Sequence, residues 1–327
     1  MRRDSTKAAL GLLAACLLCA TGVASAADYP TRPIRLIVGF TPGGGADFVA
    51  RQVAQHLAQA LDTSVVVDNK PGANGTLAAA DVARMPGDGY TLLLGVSASQ
   101  SISPVLMPKL PYDPMRDFTP ITQVGYTPLV LVVNNRTPAK TVGEFLRYVN
   151  SSSDPVTYGS AGTGNITHMA AELFVQSTGT ANLRHIPYKG SSQVITDLLG
   201  GHISAYFDTL PSSLPFIQSG QLRALGVTSG ERSAAAPEIP TMREAGAPNY
   251  EATTWFGVFA PSGLSPELTN RLQEAIHKGM DTPAARQAMT ARGVEPVLDT
   301  PSHFRSELEA DLARWREVTR KAKLTLD

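Results

Sequence analysis

Short apolar runs alternate with longer amphipathic stretches along the chain from residue 34 onward. Nine apolar runs predict β-strands, at 34–40, 64–70, 90–96, 128–134, 156–161, 183–188, 203–210, 222–229 and 253–260. Most are continuous Val, Ile and Leu runs rather than strict apolar–polar alternations. Such runs are typical of strands covered on both faces, which predicts a parallel sheet.

Four stretches predict amphipathic helices. In 47–61, the apolar side chains of Phe48, Val49, Val53, Leu57 and Leu61 fall on one face. The other three are 165–177, 266–280 and 302–324. This order of strands and helices predicts an α/β fold of the doubly wound type.

Two places along the chain look like crossings between domains, near 123–128 and near 248–253. They predict one lobe built from 27–125 plus 253–327 and a second lobe built from 126–252. Two α/β lobes joined by two crossings form a hinge with a cleft, which is the type II periplasmic-binding-protein architecture.

The first 26 residues predict a secretory signal peptide. A basic start with Arg2, Arg3 and Lys7 is followed by an uncharged apolar run and by the small residues Ala24-Ser25-Ala26. We expect export to the periplasm and cleavage after Ala26. Cys16 leaves one alternative open, since "LAAC" resembles a lipoprotein signal in which this cysteine is acylated.

Composition narrows the classes of partner. The formal net charge is zero and aromatic residues make up 6% of the chain, so neither a basic surface nor a base-stacking platform is predicted. We therefore expect no nucleic-acid partner. We also expect no cofactor and a monomeric protein. Both cysteines lie in the leader, which leaves the mature chain without thiol chemistry.

Two glycine-rich loops precede predicted helices, "PGGGAD" around 43–45 and "GSAGTGN" around 162–164. Helix N-termini offer unpaired N–H donors and partial positive charge, which suits a carboxylate or phosphate. Because neither loop contains Arg or Lys, a small carboxylate fits better than a polyphosphate. Asp47 either caps its helix or receives a ligand donor. Asp208, with no obvious helix to cap, makes either a ligand contact or a hinge bond.

Enzyme motifs are weak in this sequence. "GGGAD" is not a dinucleotide fingerprint, and no glycine loop continues into a P-loop. "GVSAS" resembles a nucleophile elbow at Ser97, but it lacks the final glycine, and the following "QSISP" is a poor helix start. His168 and Glu172 are spaced to share a metal, but no third ligand is evident, so no metal site is predicted.

Six ordered segments together resemble the Bug-type solute receptors of tripartite tricarboxylate transporters. These segments are "YPTRPIRLIVGFTPGGGADFVAR", "VVVDNKPGANGT", "GDGYTLLLG", "YGSAGTGNITHMAAELF", "HIPYKGSSQVITDLLGGHISAYFD" and "WFGVFAPSGLSPEL". The resemblance runs from about Tyr29 to the C-terminus. It implies a two-lobed periplasmic receptor, not an enzyme, that passes an organic acid or amino acid to membrane permease subunits.

The same resemblance implies a set of ligand-binding residues. By position these are Phe40, Gly44, Gly45, Asp47, Asn74, Gly75, Ser97, Ala98, Ser160, Gly164, Asn165, His168 and Asp208. The chain departs from many relatives at Gly39, Ala46 and Asn165, where Pro, Ser or Thr, and Ser are common. These departures change the hydrogen-bond donors of the cleft, so the ligand of a relative does not transfer to this chain.

The sequence thus favours a receptor for a small carboxylate. An exported hydrolase on the same scaffold, with Ser97 or His168 catalytic, and an orphan receptor that serves signalling are the alternatives. A contact from Asp47 to the ligand would favour an amino acid. A purely structural Asp47 would favour a plain mono- or dicarboxylate.

Overall fold

The computed structural model describes residues 29–248 and 250–326. The predicted leader, its cleavage site and both cysteines lie outside the described residues. Within the described part of the chain, no helix combines the length and apolarity needed to cross a membrane.

The strands occur where the apolar runs predict them. They are β1 (Ile34–Val38), β2 (Val65–Asn69), β3 (Thr91–Val96), β4 (Phe118–Asn134), β5 (Val156–Ser160), β6 (Leu183–Pro187), β7 (Ala205–Thr209), β8 (Leu222–Val227), β9 (Thr253–Pro261) and β10 (Glu295–Pro296). β4 begins ten residues before the predicted run, and β10 has no counterpart among the predicted strands. All nine predicted strands are present.

The helices include all four predicted ones. They are α1 (Gly45–Leu61), α2 (Thr76–Val82), α3 (Ser103–Leu106), α4 (Val142–Ser151), α5 (Ile166–Thr178), α6 (Ser191–Gly200), α7 (Leu210–Gln218), α8 (Pro266–Met280), α9 (Pro283–Thr290) and α10 (Pro301–Ala322). A π-helical turn at Ala98–Ile102 leads into α3. The α/β class predicted from the sequence is confirmed.

The strands pair in the order β2-β1-β3-β9-β4-β7-β5-β6, with β8 and β10 also pairing β4. Parallel and antiparallel pairs both occur along this order. β1 runs parallel to β2 and β3, and β5 runs parallel to β6 and β7. The prediction of a wholly parallel sheet is wrong, because β4 and β9 run antiparallel to their neighbours. These two strands are also buried on both faces, so a continuous apolar run reports burial and not strand direction.

The long strand β4 joins two sheets. Its first half, 118–128, pairs β9 in the first sheet, and its second half, 129–134, pairs β7 and β8 in the second sheet. The chain returns at Ala252, whose N–H donates to the carbonyl of Thr228 in the second sheet, and Thr253 then begins β9. Both passages between the sheets lie close to the two predicted crossings.

Each sheet has its own apolar core. The buried side chains of Val49, Val53 and Leu57 pack α1 against the first sheet. The second core includes Phe145 and Phe174, and Trp315 of α10 is buried within it. The last helix therefore begins beside the first sheet and ends against the second, although the sequence assigned all of it to the first lobe. The division into two lobes stays a prediction.

Candidate functional site

A cavity of about 790 Å³ lies between the two sheets, beyond the carboxyl ends of their parallel strands. This is the edge at which open α/β sheets bind ligands. Four helices begin at the cavity wall. The residues that these helix starts contribute to the lining are Gly43, Gly44, Gly45, Ala46, Asn165, Ile166, Thr167, Ser191, Thr209, Pro211 and Ser212.

The helix starts give the wall a positive character. α1 begins after Gly44. The first N–H groups of a helix have no intrahelical partner, and glycine has no side chain that could cap them. α6 and α7 also begin without a side-chain cap, whereas at α5 the Asn165 side chain accepts from the N–H of Thr167 at 3.1 Å. Several helix N-termini directed at one cavity favour a bound anion.

Arg292 is the only ionisable side chain among the lining residues of the described chain. Its guanidinium carbon lies 5.1 Å from the centre of the Phe48 ring, a cation–π distance. The sequence did not predict this residue, because it lies in the 291–294 turn, far along the chain from both glycine loops. Pairing of the two-residue strand β10 with β4 brings the turn to the cavity, and so short a strand leaves no hydrophobic pattern.

Asp47 lies behind the glycine loop and is buried, with 3% of its surface exposed. Its carboxylate accepts from the N–H of Gly43, from two nitrogens of Arg51 and from Nδ2 of Asn69, all within 3.0 Å. Burial alone would raise the pKa of Asp47, but the hydrogen bonds from Arg51, Gly43 and Asn69 outweigh it and lower that pKa. The carboxylate is thus ionised, fully partnered and directed into the protein.

The thirteen residues proposed from the sequence fall into two groups. Five line the cavity: Phe40, Gly44, Gly45, Ala98 and Asn165. The other eight lie outside its lining: Asp47, Asn74, Gly75, Ser97, Ser160, Gly164, His168 and Asp208. A ligand-binding role for any of them stays a prediction.

Gly75 packs directly behind Phe40. Its φ of +86° belongs to the left-handed region, and an added Cβ would lie 3.0 Å from Cε2 of Phe40. Gly39 approaches the same turn so closely that its Cβ would lie 2.5 Å from Cα of Gly75. The turn that contains Asn74 and Gly75 therefore sets the position of a lining ring from behind.

Ser97 is fully buried, and its Oγ has no hydrogen-bond partner among the described residues. The expectation that "QSISP" would not start a helix is wrong, because the π-helical turn begins at Ala98. The Ser101 side chain holds this turn: its Oγ lies 2.5 Å from Oδ2 of Asp311 and 2.9 Å from the carbonyl oxygen of Ser97, and its single proton is shared between these two acceptors. Ala98 is the part of this turn that reaches the cavity.

A buried polar cluster supports the second glycine loop. Nδ1 of His168 accepts from the N–H of Gly164 at 3.1 Å, and Nε2 of His168 lies 3.5 Å from Glu172. The rings of His168 and His185 stack with centres 3.9 Å apart, and Nε2 of His185 lies 2.6 Å from Oγ of Ser160. Burial, with a smaller contribution from His168, lowers the pKa of His185 to about 4.

Asp208 is fully buried at the end of β7. The expectation that no helix follows it is wrong, because α7 begins at Leu210 and Oγ of Ser213 donates to its carboxylate at 2.8 Å. Burial raises the pKa of Asp208, against the effect of its serine hydrogen bonds. Its observed contact orients the first turn of α7, which lines the cavity.

Comparison with known proteins gives one consistent match. The profile described as "Tripartite tricarboxylate transporter family receptor" matches residues 49–324. Protein BugT of Bordetella pertussis is 38% identical over 298 residues, which cover 91% of each chain.

Solved structures agree with this match. An R. palustris protein solved with adipate superposes with a TM-score of 0.79 at 33% identity, over 91% of this chain and 99% of its own. MatC from Rhodopseudomonas palustris, solved with bound malate, gives a TM-score of 0.74 at 29% identity, over 89% and 99% of the two chains. The matched part, about nine-tenths of this chain, is large enough to include both sheets.

Proposed function

Because this chain belongs to the tripartite tricarboxylate transporter receptor family, we propose that it is a solute-binding receptor that holds a small organic carboxylate in the cavity between its two sheets. The observation that carries the proposal is the lining of this cavity. Four helices begin at it, and no Asp or Glu is among its described lining residues. A carboxylate there would meet N–H groups and hydroxyls without a repelling charge.

The lining also bears on the choice between an amino acid and a plain acid. An ammonium group needs a carboxylate or several acceptors around it, but Asp47 is engaged by Gly43, Arg51 and Asn69. A ligand with carboxylate groups and no ammonium is therefore the better fit. Relatives solved with adipate and with malate are consistent with this class.

The remaining parts of the function follow from family membership. We propose that the chain is exported, loses its leader after Ala26, and acts in the periplasm as two lobes, 27–125 plus 253–327 and 126–252, that close on the ligand. The closed form would then deliver the acid to permease subunits in the membrane.

A thermal-shift screen of the chain from Ala27 onward tests the receptor function. Each acid is supplied at ~100 times a micromolar dissociation constant, where binding adds about 2.7 kcal/mol of stability. We expect a shift with carboxylates, none with the matching alcohols, and no conversion of the ligand by mass spectrometry. Stabilisation by no acid, or turnover of the bound acid, would contradict the proposal.

A further inference from the structure

The cavity contains one cation whose charge the protein does not neutralise. Within the described residues, the guanidinium of Arg292 makes no ion pair, and it lies over the face of the Phe48 ring in a cation–π contact. A guanidinium offers five donors in a planar fork that matches a carboxylate. In a binding cavity, such a group is available for an anionic part of the ligand.

Backbone hydrogen bonds fix the turn that bears Arg292. The N–H groups of Arg292 and Val294 donate to the carbonyl of Met289, and that of Gly293 donates to Thr290. A Cβ added to Gly293 would lie 2.6 Å from Cγ of Pro211, so the turn also packs closely against the start of α7. The turn is thus held both by its own backbone hydrogen bonds and by its packing against α7.

Phe48, whose ring the guanidinium of Arg292 faces, lies on α1, the helix that begins at the first glycine loop. It follows Gly45 by three residues on α1, which is about 4.5 Å along the helix axis. The amides of the glycine loop and the guanidinium of Arg292 therefore both lie beside the first turns of α1. Apolar residues, among them Phe40, Val96 and Phe256, line the same cavity and suit a hydrocarbon chain.

We propose that Arg292 forms a second anion subsite of this cavity and thereby gives this chain a preference for acids with a second carboxylate. One carboxylate lies at the amides of the glycine loop and the other pairs with the guanidinium of Arg292, while the intervening methylenes contact the aromatic wall. This inference rests on the proposed receptor function and adds the residue that reads the second carboxylate of the ligand.

Calorimetric titration with matched acids tests the second subsite. Straight-chain diacids from succinate to suberate are compared with monoacids of the same carbon number, such as adipate with hexanoate. For the wild type, we expect at least one diacid to bind about 10- to 100-fold more tightly than its monoacid, as for a charge-assisted ion pair.

Variants at one position separate charge from geometry. We expect Arg292→Gln to abolish the preference for the diacid while leaving the affinity for the monoacid within about 2-fold, since the single carboxylate of the monoacid is held at the glycine-loop amides and not by Arg292. Arg292→Lys should retain part of the preference, because it keeps the charge but loses the planar fork. Arg316→Gln on the exposed face of α10 removes the same charge outside the cavity and should change neither affinity.

The outcomes distinguish this inference from the receptor function. Equal affinities for diacids and monoacids in the wild type, or an unchanged preference in Arg292→Gln, would overturn the second subsite while the receptor function stands. Failure of every acid to bind the wild type would overturn both. A loss of diacid preference equally large in Arg316→Gln would also overturn the subsite, because general electrostatics would then explain it.

Discussion

The backbone N–H of Gly43 donates to Oδ2 of Asp47 at 2.9 Å, so a buried carboxylate on α1 fixes the glycine loop that lines the cavity. The same carboxylate forms an ion pair with Arg51 one helical turn later. The carboxylate thereby holds the loop from behind, and the amides of Gly44 and Gly45 are left at the cavity wall.

Replacement of Asp47 should weaken the loop without changing selectivity. We expect Asp47→Ala to lower the free energy of unfolding by about 2–3 kcal/mol, because Gly43, Arg51 and Asn69 lose a charged acceptor that is itself buried. All acids should lose affinity by a similar factor, since the side chain of Asp47 lies outside the lining of the cavity. Urea unfolding and calorimetric titration with paired amino acids and plain acids measure both effects.

Arg51→Ala is the matched control for this prediction. Its side chain is 55% exposed, so its loss should cost only about 0.2–1 kcal/mol. An Asp47→Ala protein of normal stability that selectively loses amino-acid ligands would show that Asp47 contacts an ammonium group instead.

The strands and the glycine loops could be predicted from sequence because their signals are local. The apolar runs around Leu36, Val66 and Leu131 mark strands regardless of their partners. Strand direction could not be predicted, because burial on both faces gives the same run in the antiparallel strand β9. The first part of β4 was missed because Pro120 and Gly125 interrupt its pattern.

The candidate site was predictable in part for the same reason. Gly44, Gly45 and Asn165 adjoin a strand–glycine–helix pattern, which is readable along the chain. Arg292 and Thr209 reach the cavity through tertiary packing, which leaves no local signal. The resemblance implied a ligand-binding role for His168, and the described structure places its ring beside Gly164 and His185.

The amide of Gly44 offers a test of anion binding by the backbone. A Cβ at this position would approach only the carbonyl oxygen of Thr41, at 3.7 Å, and its φ of −80° is close to the value that proline adopts. Gly44→Ala should therefore fold normally and keep its N–H, whereas Gly44→Pro removes the N–H. We expect at least a 10-fold weaker affinity for Gly44→Pro than for Gly44→Ala, measured by calorimetric titration with the best acid found in the screen.

Gly44→Ala is the control for the added side-chain volume. Similar affinities in the two variants, with unchanged unfolding midpoints, would show that this amide does not bind the ligand. A loss in both variants would point to crowding of the cavity rather than to the missing N–H.

Asn165 combines a cap with a place in the cavity wall. Because its side chain accepts from the N–H of Thr167, Asn165→Ala should lower the free energy of unfolding by about 1 kcal/mol. Asn165→Ser should restore most of that stability, since serine is an equally good cap, while any hydrogen bond from the Asn165 amide to the ligand stays lost. Thermal unfolding without ligand separates the cap from binding, and equal stabilities of the Ala and Ser variants would contradict the capping role.

The stacked pair His168 and His185 should make stability depend on pH. Burial, and then the neighbouring His168, lowers the pKa of His185 to about 4 in the folded protein, against about 6.5 in an unfolded chain. Between these values the unfolded state binds a proton that the native state does not, so stability falls as the pH drops. The contribution is fully present above pH ~6.5, and at pH ~5 a loss of about 2 kcal/mol is expected.

The variant His185→Gln removes this titration and keeps a polar partner for Ser160, whose Oγ lies 2.6 Å from the imidazole. At pH ~7.5 we expect the variant to be less stable than the wild type, and the difference should shrink by about 2 kcal/mol as the pH falls to ~5. Urea unfolding at a series of pH values measures this difference directly and cancels the titration of groups that both proteins share. Parallel pH profiles for the two proteins would show that the imidazole of His185 titrates normally and that its burial against His168 carries no electrostatic cost.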